Sequence, residues 1–360
     1  MILLREVQER DVDALERLGQ VPGMFNLAGD TDAIRERIAR SRASFAASGG
    51  GAPVSSEAKY IFVAEDQVSG RVVGTSMIAA QHGTPESPHF YFEVGSEERF
   101  SSTINTGFIH GTLKLRYDGN GPSELGGLVL DPEVRNQPGA RIGRQVSFVR
   151  FLYLALHRSR FKKRLLAELL PPLNKKGQSA LWEAIGRRFT NMDYWEADQL
   201  CQKNKEFILS LFPSGKIYTT FLSAEARNAI GKVGRETEPV MHMLTKIGFA
   251  YRNQVDPFDG GPHLWALVDE LLPVKRMLQL RLSSQDGAGR ADLRVESGLL
   301  APVRQAPGQF RALHVQAAVL SAGAGVGSGG ELLLAHPTVS ALATVLGVGP
   351  GDAVAFMPYY

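Results

Sequence analysis

The stretch SELGGLVLDPEVRNQPGARIGR, residues 123–144, carries the residues whose types and order suit chemistry best. Glu124 places a carboxylate at the start of an apolar run fit for a strand. The run passes through Asp131-Pro132 and the small-residue turn Pro138-Gly139-Ala140, then enters a helix. A strand feeding such a turn aims main-chain N–H groups and the positive end of a helix dipole at one point, an arrangement that holds phosphate. Pro138 has no N–H to give. The run HRSRFKKR, 157–164, is the one charge cluster. Cations are expected at a helix C-terminus on dipole grounds, and reception of a phosphate or of RNA are its other readings. Asp259, in the turn FDGGP (258–262), is read as a turn-forming side chain or as a group facing a cationic substrate. Glu236 and Glu238 are read as helix caps or guanidinium partners. His242 is read as a helix-face residue, and His110 and His263 have no assigned place.

The elements that must position these groups follow from periodicity. Residues 1–8 suit a short strand, with Asp11 placed to cap a helix bearing Val12, Leu15 and Leu18 on one face. Thr31 is placed to cap a second helix bearing Ile34, Ile38 and Phe45. SGGGAPVSS, 48–56, is a break. YIFVAED (60–66) and RVVGTSMIAA (71–80) read as strands joined by a QVSG hairpin turn. FYFEV (90–94) and LGGLVLDP (125–132) are further strands. From Arg141 to about His157 a helix is apolar on most of its circumference and belongs between layers. RLLAELL (164–170) reads as a buried strand, followed by the helix SALWEAIGRRF, with Trp182 and Trp195 as core or interface residues. A helix at PVMHMLTKIGF and a strand at AYRNQVD come later, and LWEAIGRRF against MLTKIGFAY suggests a worn repeat. After residue 276, short apolar runs alternate with glycine and charge thins out, which predicts a small β-rich subdomain.

With 360 residues, 44% of them hydrophobic and 21% charged, the chain can bury a sizeable core. A net charge of +3 gives no broad basic surface, which argues against nucleic acid as a partner. One cysteine, Cys201, rules out an internal disulfide and a cysteine-based metal cluster, and no metal ligand set is picked out. No signal-like segment and no long apolar run appear, so a cytoplasmic protein away from membranes is expected.

The order of strand, hairpin, strand, strand with small-residue turn, buried helix, strand and helix resembles the GCN5-related N-acetyltransferase (GNAT) fold. That resemblance implies an α+β protein, a mixed sheet flanked by helices, with the β-rich C-terminal subdomain appended. It also implies an acyl-CoA co-substrate and no permanently bound cofactor. Pro132-Glu133-Val134-Arg135 fits the first half of the pyrophosphate motif, so Arg135, Gly139 and Ala140 are the expected diphosphate contacts. SELGGLVLDP, AELL, GQSALWEAIGRRFTNMDYWEAD, IGKVG, LTKIGFAYRNQVDPFDGGP and LGVGPGDAV occur in the order of the arginine N-succinyltransferase family. The chain resembles that family clearly over residues 1–275. The likeness implies transfer of succinyl from succinyl-CoA to the α-amino group of arginine, in arginine catabolism, with Leu128 contacting the acyl-CoA. It also admits homo- or hetero-oligomers with a related subunit.

The family's proton-donating histidine follows an Ile-Gly shortly downstream, and Gly234 stands there in this sequence. Glu124 is then the expected general base, with a strand-end ion pair as its alternative. A different amine acceptor or acyl donor, or a non-catalytic acyl-CoA-binding partner subunit, are the alternative functions. The expected division is an acyl-CoA-binding half at 1–170, a second half completing the acceptor site at 171–275, and the subdomain at 276–360.

Overall fold

The computed structural model describes residues 1–20, 30–47, 55–135, 141–174, 177–286, 294–320, 330–336 and 339–359. Its strands begin with β1 (Ile2–Glu6), β2 (Lys59–Asp66), β3 (Val72–Ala79), β4 (His89–Ser101) and β5 (Thr106–Asp118). Next come β6 (Ser123–Leu130), β7 (Arg164–Glu168), β8 (Lys216–Tyr218), β9 (Ala250–Val255) and β10 (Pro262–Leu267). The last are β11 (Leu278–Asp286), β12 (Val295–Pro302), β13 (Arg311–Leu320), β14 (Glu331–His336) and β15 (Ala353–Pro358). Two compact units result, one from Met1–Ala80, Leu125–Lys162 and Val268–Tyr360, the other from Gln81–Glu124 and Lys163–Leu267. They interleave the three consecutive segments expected from the sequence, because strand pairing joins stretches far apart in the chain.

In the first unit the strand order is β12-β15-β11-β14-β13-β1-β2-β3-β6. The period-2 alternation of β2 decides what packs on each face. Ile61 and Val63 join Val12, Leu15, Leu18, Ile34 and Ile38 of the first two helices in one buried cluster. Tyr60 and Phe62 instead meet Tyr153, on the helix Ile142–Leu156, with ring centroids 5.0 and 5.3 Å away. That helix is buried along most of its length, as its sequence predicts.

Two caps differ from expectation. The helix Thr31–Ala46 is capped by Asp30, whose carboxylate accepts from Ala33 N at 2.9 Å, one residue before Thr31. Asp11 precedes its helix but accepts from Arg5 Nη1 and Nη2, at 2.7 and 2.8 Å, because the buried guanidinium needs a counter-charge more than the helix needs a cap. The predicted break at 48–56 falls largely outside the described residues.

The β-rich tail closes on itself. β12, β15, β11, β14 and β13 are neighbours in that order, and β12 pairs again with β13 to complete a ring. Inside lie Leu282, Leu300, Val315, Leu334 and Phe356, with Leu342 of the helix Val339–Leu346 against them. Closure removes most of the edges that short strands would otherwise expose.

In the second unit the order is β7-β10-β9-β4-β5-β8. β4 and β5 form a hairpin with 13 residues in each strand, far longer than the FYFEV segment the sequence marked. Trp182 is fully buried and stacks on Phe258 of the FDGGP turn, centroids 4.7 Å apart and rings 6° from parallel. The suggested repeat takes two forms: LWEAIGRRF makes two short helices, Ala180–Ala184 and Gly186–Thr190, whereas the later segment is one helix, Glu238–Lys246, leading into β9. No helix among the described residues is long and apolar enough to cross a membrane.

Candidate active site

The second unit gathers ionisable side chains at one end of its sheet. β7 and β10 run antiparallel in a register that sets His263 opposite Glu168. β4 begins with His89, and the segment before it carries His82. That segment is fastened by His82 N donating to Pro122 O at 2.7 Å and Gly121 N donating to Gly83 O at 3.1 Å. The approach is so close that a Cβ on residue 121 would stand 1.7 Å from His82 O, so only glycine fits there. The result brings His82 against Glu124, with Nδ1 2.7 Å from Oε2.

Three imidazoles then converge on one carboxylate oxygen. His82 Nε2, His89 Nδ1 and His263 Nε2 lie 3.7, 3.6 and 3.5 Å from Glu168 Oε1. His89 and His263 are 1% and 0% exposed, and among the described residues neither ring nitrogen of either has a hydrogen-bond partner. Asp256 borders the cluster, its Oδ1 accepting from the N–H groups of Phe258 and Asp259 at 2.7 and 3.2 Å. Asp259 Oδ1 accepts from Gly261 N at 2.7 Å, so the turn-forming role expected of it is present. The Tyr194 hydroxyl donates to its other oxygen at 3.4 Å.

Burial governs the charge states. It pushes the His263 imidazolium down to about 3, and lowers His89 well below the usual histidine range with help from the neighbouring imidazoles. Both rings are therefore neutral near pH 7. Burial, and then the Glu124 carboxylate, raise Glu168 well above the usual carboxylate range. Asp256 is raised by burial, with Lys205 pulling the other way. Desolvated carboxylates beside neutral imidazoles form a site that favours a cation.

The family "Arginine N-succinyltransferase beta subunit" matches residues 2–272. The chain belongs to this family. Among its relatives, the arginine N-succinyltransferases of Citrobacter koseri and Escherichia coli are each 36% identical over 279 residues, covering 77% of this chain and 79% of theirs. The solved arginine/ornithine succinyltransferase subunit AI from Pseudomonas aeruginosa superposes with a TM-score of 0.78 at 26% identity, covering 99% of this chain and 98% of that one. The chain therefore has the mixed sheet flanked by helices of an arginine N-succinyltransferase, and acyl-CoA is the co-substrate that family implies.

Of the residues the family resemblance singled out, Glu124 lies in the cluster. Leu128 is half-buried four residues further along β6, and Arg135 is exposed at the end of the short helix Pro132–Arg135. Asp131 starts that helix by accepting from Glu133 N at 3.1 Å, and is itself paired with Arg71 at 3.3 Å. Gly139 and Ala140 lie outside the described residues. Gly234 is built into the backbone: its N–H donates to Leu170 O at 2.8 Å, and its carbonyl accepts from Thr237 N at 2.8 Å. A Cβ there would meet Pro171 O at 2.9 Å. His242 is exposed on the helix Glu238–Lys246, and His110 pairs with Thr220 on the long hairpin at 3.0 Å. His82, His89 and Glu168 were not singled out from sequence. They come from separated stretches, and only the β7–β10 register together with the loop before β4 unites them.

Proposed function

We propose that this arginine N-succinyltransferase family member transfers succinyl from succinyl-CoA to the α-amino group of arginine. The observation that carries the reading is the family match across residues 2–272. The Glu124–His82 pair supplies a carboxylate fit to take the amine proton. An amino group of this kind arrives largely protonated. Glu124, steered by the His82 ring, accepts a proton from the ammonium. The freed nitrogen attacks the thioester carbonyl, a C–N bond forms, the C–S bond breaks, and the second proton shed by the new amide nitrogen goes to the departing thiolate. Main-chain N–H groups of β6 are the expected donors to the oxyanion. Leu128 is assigned to the acyl-CoA chain, and Arg135, Gly139 and Ala140 to its diphosphate. The reaction is assigned to the cytoplasm.

The test is a matrix of donors and acceptors. Thiol release is followed for succinyl-CoA and acetyl-CoA against arginine, ornithine and lysine. Succinyl-CoA with arginine is expected to give the highest kcat/KM, and a clearly better pair would replace this assignment.

Gly234 favours a second reading, a partner subunit that binds acyl-CoA and turns over only beside a related chain. Turnover by the isolated chain excludes it. Absence of turnover alone, with recovery on adding a related subunit, would establish it.

A further inference from the structure

His82, His89 and Glu168 in the second unit each offer a ligand atom, all within 4.8 Å of one another, at a spacing that suits neither direct bonding nor a void. Glu168 Oε1 stands 3.7, 3.6 and 3.5 Å from His82 Nε2, His89 Nδ1 and His263 Nε2, beyond hydrogen-bonding range for all three. Around a zinc-type ion, nitrogen and carboxylate ligands sit about 2.0–2.1 Å from the metal, so the edges of that tetrahedron are roughly 3.3–3.4 Å. The ring centroids agree. His82 and His89 are 4.7 Å apart. Two imidazoles on one tetrahedral ion have centroids about 5 Å apart by the same geometry.

We propose that His82, His89 and Glu168 form a binding site for one divalent transition-metal ion of the zinc class, with the remaining coordination position open. The donor set is two imidazole nitrogens and one carboxylate oxygen, the kind that takes zinc, cobalt or nickel in preference to calcium or magnesium.

Two observations besides the spacing point to a ligand. The first is the orphaned nitrogens: His89, with His263 beside it, is buried and has no hydrogen-bond partner on either ring atom among the described residues. Such groups are costly unless something unseen satisfies them. The second is the outer contact of His82. Its Nε2 faces Glu168 while its Nδ1 lies 2.7 Å from Glu124 Oε2. Histidines that hold metals commonly donate their other ring N–H to a carboxylate in this manner, which fixes the ring and its tautomer. Entry is open, since Glu168 and His82 keep 28% and 23% of their side chains exposed. The overlapping triplet Glu168, Asp256 and His263, whose ligand atoms also lie within 4.8 Å of one another, supplies a further carboxylate at the rim.

The test uses the full chain without a histidine tag, stripped with a chelator and titrated with Co²⁺. The expected result is saturation at one equivalent, with the strong visible absorption of four-coordinate cobalt and no thiolate charge-transfer band. Zn²⁺ should displace the colour and raise the thermal midpoint. Exchanging His82, the more accessible of the two histidines, in the H82A variant should weaken binding at least tenfold. H89N tests the buried position, and circular dichroism checks that both variants fold. Failure of the wild-type chain to take up one equivalent overturns the proposal. So does an unchanged cobalt spectrum and affinity in folded H82A. Because none of these readouts involves turnover, they stand apart from the test of the acyltransfer reading.

Discussion

Replacing Glu124 with glutamine removes the proposed base while keeping its shape. The buried carboxylate lies 2.7 Å from His82 Nδ1, and an amide oxygen can accept that same N–H. A hydrogen bond to a charged acceptor contributes about 1.5–3 kcal/mol and one to a neutral acceptor about 0.5–1.5 kcal/mol, so the fold should lose only about 1 kcal/mol. Catalysis should lose far more. A general base supplies roughly 10²–10⁴-fold in rate, which at 1.36 kcal/mol per decade is about 2.7–5.5 kcal/mol of transition-state stabilisation. The assay is thiol release from succinyl-CoA at saturating arginine, with urea unfolding run in parallel. E124Q is expected to lower kcat by at least a hundredfold while leaving KM for succinyl-CoA near the wild-type value. A kcat within about threefold of wild type, in a variant shown to be folded, would refute the role given to Glu124.

Three further outcomes follow from the packing. G234A and G234H should each cost about 1–3 kcal/mol in urea unfolding, because the new Cβ meets Pro171 O at 2.9 Å and backbone cannot swing aside; neither should raise turnover. W182A should cost about 3–5 kcal/mol, since it empties a fully buried site and strips the stacking partner from Phe258. His157 is held neutral by burial, its imidazolium pushed down to about 4. A histidine lowered in this way binds its proton more readily when unfolded, so its contribution is intact above about pH 6.5 and drains away as pH falls toward 4. The stability lead of wild type over H157Q should therefore shrink by up to about 3 kcal/mol across that window, measured by urea unfolding at several pH values.

What the sequence could reveal depended on how local the signal was. β2, β3, β6 and the helix Ile142–Leu156 were legible because each carries its own local signal, a continuous buried run in β2 and β3, alternation in β6 and an apolar circumference in the helix. The outer reach of the β4–β5 hairpin was not, since its side chains, Phe100, Phe108 and Ile109 among them, are largely exposed and no buried face imposes a pattern on them. Thr31 looked like a cap because capping residues are interchangeable by type; Asp30 holds the position through its extended backbone. The family's acyl-CoA stretch was readable as a contiguous string. The histidine cluster was invisible, because His82, Glu168 and His263 are neighbours only through a strand register and a glycine-tight loop crossing. Gly234 stands where the family resemblance sets a histidine, and nothing local could show that its backbone is tied to Leu170 and crowded by Pro171.

The most direct measurement is the fate of the succinyl group. Purified chain, alone, is incubated with succinyl-CoA and arginine labelled with nitrogen-15 at the α-amino group, and the products are resolved by tandem mass spectrometry. Succinyl is expected on the labelled nitrogen, with one thiol released for each molecule formed. Thiol release without acylated arginine, or succinyl found only on the guanidinium, would contradict it.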